Sequence, residues 1–280
     1  MEYLSGYTIK PSEITAAGEV RFTDGTNSNM GANQVTCEAY GYTYDKTSGT
    51  CISFRFNTNL NRNISNINNK NNGSGNTNQL GSNTIQVNGT QNTTRGFNNN
   101  CLINGSNNEI ANGIDNSSVF GLKGEATATN SIVLGGNAHD DNLSERQSVQ
   151  LMYGTQTTAG VTVDSYLNNT TDSYFPVPTD TIMYFHADVI AVRVGGTAEI
   201  GDVGDYASWV ERGVVINKSG TLSIQRERDA IKSSGTVTDW RPVAAVDGTN
   251  FVMTVRGETD TTIEWNSNIT FTQIKTGVAL

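Results

Sequence analysis

Between about residues 81 and 135, apolar residues come in ones to threes, each touch closed by a glycine and followed by a polar run. The segments read LGSNTIQVNG, NNCLING, NNEIANG, DNSSVFG and TNSIVLG. Their glycines fall at Gly81, Gly89, Gly105, Gly113 and Gly121, about eight residues apart or a multiple of that; Gly96 sits one short of a missing beat, and Gly135 comes six after the empty place at Thr129. The apolar members are Ile85, Val87, Leu102, Ile103, Ile110, Val119, Phe120, Ile132 and Leu134, and an Asn opens most units. Eight residues are too few for a helical repeat with its own hydrophobic face, but they fit one short strand and a tight turn. Glycine supplies the positive φ such a turn needs, and Asn tolerates it. Stacked Asn side chains can also bond to their counterparts in the next rung if register holds. The expectation is a β-solenoid or β-roll with one or two units per coil, the named apolar residues being its core.

Elsewhere the pattern changes. From about residue 143 longer alternating strands appear: QSVQLMYG, TIMYFHADVIAVRV, WVERGVVI, TLSIQRER, WRPVAAV, NFVMTVRG and TTIEWNSNITFTQI. In the last, Ile263, Trp265, Ile269 and Phe271 share one face and Thr262, Glu264, Asn266, Asn268, Thr270 and Thr272 the other. About seven strands with hairpin-length loops predict an antiparallel β-sandwich of jelly-roll type. Before the repeat, residues 1–58 read as short strands, ITAAGEVRFTDGT, VTCEAYGYTY and CISFRF, with a turn at Asp24–Gly25. The polar run NTNLNRNISNINNKNNGSGNTN between them and the repeat resembles degenerate first coils. The division expected is 1–58, 59–142 and 143–280, all β.

Composition narrows the function. The net charge is −9 with no basic run, which argues against a nucleic-acid partner. No apolar run spans a bilayer, and the N-terminus has neither the basic nor the apolar region of a signal peptide, so no membrane insertion is expected. Cys37 and Cys51 stand where a disulfide is geometrically open to them, but a chain made in the cytosol favours two reduced thiols. Cys101 occupies an apolar place in the repeat and reads as a core thiol. His139, Asp140 and Asp141 form one local cluster, an incomplete ligand set that reads as a solvated junction loop, so neither metal nor cofactor is expected. Glu199, Asp202, Asp205 and Glu211 are carboxylates suited by type alone to glycosidic chemistry. His186 lies in an alternating strand and reads as structural. Trp209, Trp240 and Trp265 read as core fillers more than as sugar-stacking platforms. No catalytic residue stands out, and the expectation is a chain that is not an enzyme.

The apolar content of each unit falls short of what ordering its backbone costs, so the shaft is expected to gain stability from sister chains. The N-x-x-I-x-x-G units ending in ATATNSIVLGGN resemble the β-roll heads of trimeric autotransporter adhesins and repeats in phage tail and neck appendages. DYASWVERGVVINKSGTLSI and VTDWRPVAAVDGTNFVMTVRGETDTTIEWNSNITFTQI resemble the terminal sandwich of phage fibre and spike proteins. That resemblance covers about 200 of the 280 residues. It implies a homotrimeric virion fibre, assembled in the host cytoplasm, with the tail favoured over a head fibre or an adaptor. The N-terminal segment would attach to other virion proteins and the distal sandwich would bind a host surface glycan or protein. A polysaccharide-degrading or self-cleaving spike is the remaining alternative.

Overall fold

The computed structural model describes residues 9–15, 18–46, 48–53, 69–79, 81–136, 142–199, 201–234, 237 and 239–276. The chain divides into two compact units, Met1–Ile67 and Asn68–Leu280.

In the first unit, β1 (Lys10–Ile14) and β2 (Val20–Thr23) form an antiparallel hairpin, and β3 (Thr43–Asp45) pairs with β4 (Thr50–Ile52). Between them, where the sequence suggested a strand, Gln34–Ala39 is a helix, α1. Asn33 caps it, its side chain accepting the Thr36 N–H at 2.9 Å, which satisfies a donor the first turn leaves free. The helix turns Cys37 toward Val20, Phe22, Ala32 and Cys51 in a small core. Cys37 and Cys51 are joined as a disulfide, with Cα atoms 5.6 Å apart, which corrects the expectation of reduced thiols. Strand alternation alone did not show that a helix and a strand would face both sulfurs into one core.

The second unit begins with a parallel β-solenoid of about four turns. Its long sheet stacks β5 (Lys70–Ser74), β7 (Asn83–Thr90), β9 (Asn99–Ser106), β11 (Ser118–Leu122) and β13 (Ile132–Gly135) in register. A second sheet stacks β6 (Thr77–Asn78), β8 (Thr93–Thr94), β10 (Glu109–Ile110) and β12 (Glu125–Ala126). Successive rungs are sixteen residues apart, so two of the eight-residue units make one coil; between β11 and β13 the step is fourteen, which is why Gly135 stands early. Val87, Ile103, Val119 and Val133 form one wholly shielded column, and Thr94, Ile110 and Ala126 another.

The parallel stack then becomes an antiparallel sheet without a break. β14 (Arg146–Thr157) pairs with β13, laying Val149 beside Val133, and the sheet continues through β22 (Thr261–Lys275), β17 (Thr181–Gly196), β18 (Tyr206–Lys218) and β19 (Thr221–Ser233). A smaller sheet, β20 (Arg241–Asp247), β21 (Asn250–Arg256), β15 (Thr162–Leu167) and β16 (Phe175–Pro176), joins the same core. Phe251 of the smaller sheet meets Phe185 and Phe271 of the larger with ring centroids 5.2 and 5.0 Å apart. Tyr153 on β14 ties the two: its hydroxyl accepts the Phe175 N–H at 2.9 Å and donates to the Phe251 carbonyl.

Candidate functional site: the outer face of the long sheet

The coil is built from inside outward. Asn92 donates from its backbone N–H and from Nδ2 to Asn76 Oδ1, at 3.0 and 3.1 Å, and from Nδ2 also to the Gly105 carbonyl at 2.9 Å. Asn108 repeats the set one rung on, to Asn92 Oδ1 and the Gly121 carbonyl, and Gly124 N–H closes the column on Asn108 Oδ1 at 2.8 Å. Asn92 and Asn108 are fully shielded, so each amide replaces the water that the turn backbone would otherwise need. An Asn ladder is expected of such a repeat, and the structure places it on these residues, whose signal in the sequence is Asn-Thr or Asn-Glu recurring every sixteen residues.

Gly81, Gly89, Gly105, Gly113 and Gly121 all have positive φ; Gly135 does not. A side chain on Gly105 would run into the Gly121 carbonyl of the next rung, whereas Gly113 faces open space and is constrained by its φ of 73° alone. The vacant beat after Gly96 is filled by Phe97, held left-handed at φ 52°.

Ile85, Val87, Ile103, Ile110 and Val119 lie inside the coil. Leu102 and Phe120, half-buried, and Ile132 and Leu134, exposed, point the other way, onto the outer face of the long sheet. That face runs on without interruption. Leu134 pairs with Ser148, Ser148 with Thr272 and Thr272 with Tyr184; one row along, Ile274 pairs with Ile182 and Ile182 with Ile216. Ile182, Tyr184, Ile190, Met152 and Ile274 are 40 to 56 % exposed, so this is no core face. At the junction, Leu134, Gly136, Ser148, Thr272 and Ile274 line a shallow groove of about 450 Å³.

The same face is nearly uncharged on its central strands. Of the outward positions on β14, β22 and β17, Arg146, Glu264 and Asp188 carry charge, and His186 sits 3.2 Å from Asp188. Charges gather instead on the edge strand β19, where Glu227 and Asp229 pair with Arg212. A long edge strand bearing Arg226, Glu227, Arg228, Asp229 and Lys232 is protected against pairing with stray strands.

Other candidates fall elsewhere. Trp209, Trp240 and Trp265 pack together, Trp209 stacking on Trp265 at 5.7 Å, and each is at most 7 % exposed. Cys101 is a buried free thiol pushed up to about 11 by its burial. Asp202 and Asp205 shape the turn after β17, where Asp205 Oδ2 accepts the Asp202 N–H, and Glu199 is exposed in the same loop. Glu211 has no exposed surface; its Oε2 accepts the Ala244 N–H at 3.1 Å and its desolvation raises its pKa. These four carboxylates are not gathered around a cleft. His139, Asp140 and Asp141 lie outside the described residues. Among the described residues, no group of three or more His, Cys, Asp or Glu side chains is placed to hold a metal ion.

No protein family matches the chain, and no curated protein does. Among solved structures it is similar to the tailspike protein of Acinetobacter baumannii phage AM24 (9 % identity, TM-score 0.29, covering 75 % of this chain and 50 % of that one). It is also similar to the tailspike of Acinetobacter phage vB_ApiP_P1 (10 %, 0.26, 72 % and 46 %). A third is the tailspike of Acinetobacter baumannii bacteriophage Fri1, described as a capsular polysaccharide depolymerase (8 %, 0.24, 69 % and 41 %). The chain spans half or less of these tailspikes' own length. The depolymerase among them overturns the expectation that this chain is no enzyme, and that expectation is withdrawn. At these scores the likeness assigns no activity to the chain.

Proposed function

We propose that the chain is a structural protein of a bacteriophage particle, a homotrimeric fibre of the tail whose N-terminal unit attaches to other virion proteins and whose C-terminal sheets meet the host surface. The observation that supports this reading most is the outer face of the long sheet. It is poor in charge, carries half-exposed apolar side chains among neutral polar ones, and is continuous from the solenoid into the antiparallel strands, so it forms a ribbon parallel to the direction in which the rungs stack. Sister chains related by an axis along that direction would bring ribbon against ribbon over its whole length. About ten half-exposed apolar side chains at about 50 Å² each come to about 500 Å². A standard interface buries about 800 Å² per partner, roughly 60 % of it apolar. Depletion of charge at such a face is what interface cores have in common.

The sequence resemblance to fibre and spike proteins supplies the number three and the particle. Three weak sites on one rod gain avidity without any new contact. Sedimentation tests the assembly: the expected mass is three times 30.1 kDa. The double substitution Ile182→Asp and Ile274→Asp should leave a folded monomer, and a wild-type monomer would end the fibre reading. Electron microscopy of particles labelled at the N-terminal unit should place the label at the tail, with the C-terminal sheets distal.

A further inference from the structure

The outer face of the smaller sheet differs in kind from that of the long one. Its inner face is set by Pro242, Ala244, Phe251, Met253 and Val255, all buried. The alternate positions point outward in rows across β20, β21 and β15. One row is Arg241, Arg256 and Thr162; the next is Val243, Thr254 and Asp164. Arg241 and Arg256 are thus directly opposed, an arrangement of like charges that destabilises a sheet unless something answers it. Among the described residues neither guanidinium has an ion-pair partner, and Arg256 Nε is buried without a hydrogen bond. Glu258, two residues on, is engaged by Trp240 Nε1 at 3.0 Å.

Two further residues along the same face, Val252 is only 3 % exposed although it stands outside the main core cluster. The residues that register sets beside it are Tyr166, one step past the Ser165–Met253 pair, and Tyr174, one step before the Phe175–Phe251 pair. Their rings lie 5.6 Å apart at 54°, and both are half-exposed. Tyr174 donates to Asp164 Oδ2 at 2.7 Å, a bond that fixes the ring and raises the phenol's pKa. An ordered aromatic platform, a carboxylate and a threonine hydroxyl therefore lead to an unanswered arginine pair. At about 3.4 Å per residue, the four steps from Val252 to Arg256 span about 14 Å, the reach of two to three sugar rings.

We propose that this face binds an acidic oligosaccharide, one ring packing its C–H face on Tyr166 and Tyr174, its hydroxyls meeting Asp164 and Thr254, and a sugar carboxylate taken by Arg241 and Arg256. Aromatic rings offer an apolar face at low entropic cost, and guanidinium groups bind carboxylates in a planar fork that a lysine does not reproduce. The proposal rests on the fibre reading, since it supplies that reading with a ligand class. A surface of net charge −9 would otherwise repel such a polymer, so the arginine pair selects a local acidic group and not negative charge at large.

The test uses the full chain on an array of oligosaccharides carrying uronic or sialic carboxylates, each beside its carboxyl-reduced counterpart. Binding is expected for acidic members and lost by at least tenfold on carboxyl reduction. Arg256→Ser should cost at least tenfold, and because its Nε is buried, the surface variant Arg241→Ser is the second arm, also expected to weaken binding several-fold with unchanged melting. Tyr174→Ala should weaken binding with the charge intact. Retention of no acidic member, or equal binding after Arg241→Ser and carboxyl reduction, overturns the site. Sedimentation of the same samples keeps the two readings apart: a trimer that binds none removes this site alone, whereas a monomer that binds removes the fibre and leaves the site.

Discussion

The solenoid and the antiparallel sheets that follow it share one hydrogen-bonded sheet but hold themselves together differently. Inside the coil there is room for Val, Ile, Thr, Ala, Ser and the Cys101 thiol, and beside them runs a column of asparagine amides bonded to backbone. Inside the C-terminal strands the same spacing holds Phe175, Phe185, Phe251 and Phe271 in mutual contact. A sixteen-residue coil brings its two walls close, so bulk is excluded and regularity of the backbone carries the stability. Strands of twelve to sixteen residues can face another sheet across a full layer of aromatic side chains. The two regions should therefore break in different ways.

The largest effect is expected at Gly105. Gly105→Ala drives a methyl group into the Gly121 carbonyl, forcing rungs apart, and should cost more than about 4 kcal/mol; circular dichroism would show lost strand content in the purified chain, and a native melt would refute the rung spacing. Phe251→Ala empties the aromatic layer and should cost about 3–5 kcal/mol by denaturant titration while the coil keeps its register. Asn108→Ala strips the Gly124 N–H and the Gly121 carbonyl of their buried partner, for a loss of about 3 kcal/mol. Hydrogen exchange should then rise in adjacent rungs and not in β17 or β22; a uniform rise would mean that the two regions unfold as one. Gly113→Ala meets no atom and costs only its left-handed φ, about 1 kcal/mol.

Glu211 sharpens the contrast by pH. Its folded pKa is raised by desolvation, so the folded state binds the proton more tightly than the unfolded chain. Its contribution is fully present below the ordinary carboxylate value of 4.5 and is lost as pH rises through the folded pKa. Glu211→Gln should accordingly raise the melting temperature at neutral pH, with the gap to wild type closing as pH falls. A gap independent of pH would show that Arg226, 3.6 Å away, already compensates the carboxylate.

Much of this was legible beforehand. Positive φ at Gly89, Gly105 and Gly121 follows from their spacing, and the period-two faces of the last strand follow from Ile263, Trp265, Ile269 and Phe271. Alternation also places Ser267 and Gln273 on the inner face of that strand, where their polarity alone would not; Gln273 donates to the Ser144 carbonyl at 2.6 Å. Leu102, Phe120, Ile132 and Leu134 could not be told from Ile103 and Val119 by composition, because neighbouring residues of a strand point to opposite sides and the repeat places apolar groups on both. Val35 to Ala39 was helical because Asn33 and the pull of Cys37 into a core outweighed a weak strand preference.

What the amino-acid order determined by itself was periodicity: where the chain turns, that it runs in short β rungs, and which strand faces alternate. Only the folded chain decided that two units close one coil, that its seam is shielded within a single chain, and that a charge-poor ribbon bearing half-exposed apolar side chains and an opposed arginine pair emerge on different sheets. The reason is physical. Turn and alternation are properties of consecutive residues, while register across strands joins residues as far apart as Ser148 and Thr272, or Arg241 and Arg256, whose neighbourhood no local pattern encodes.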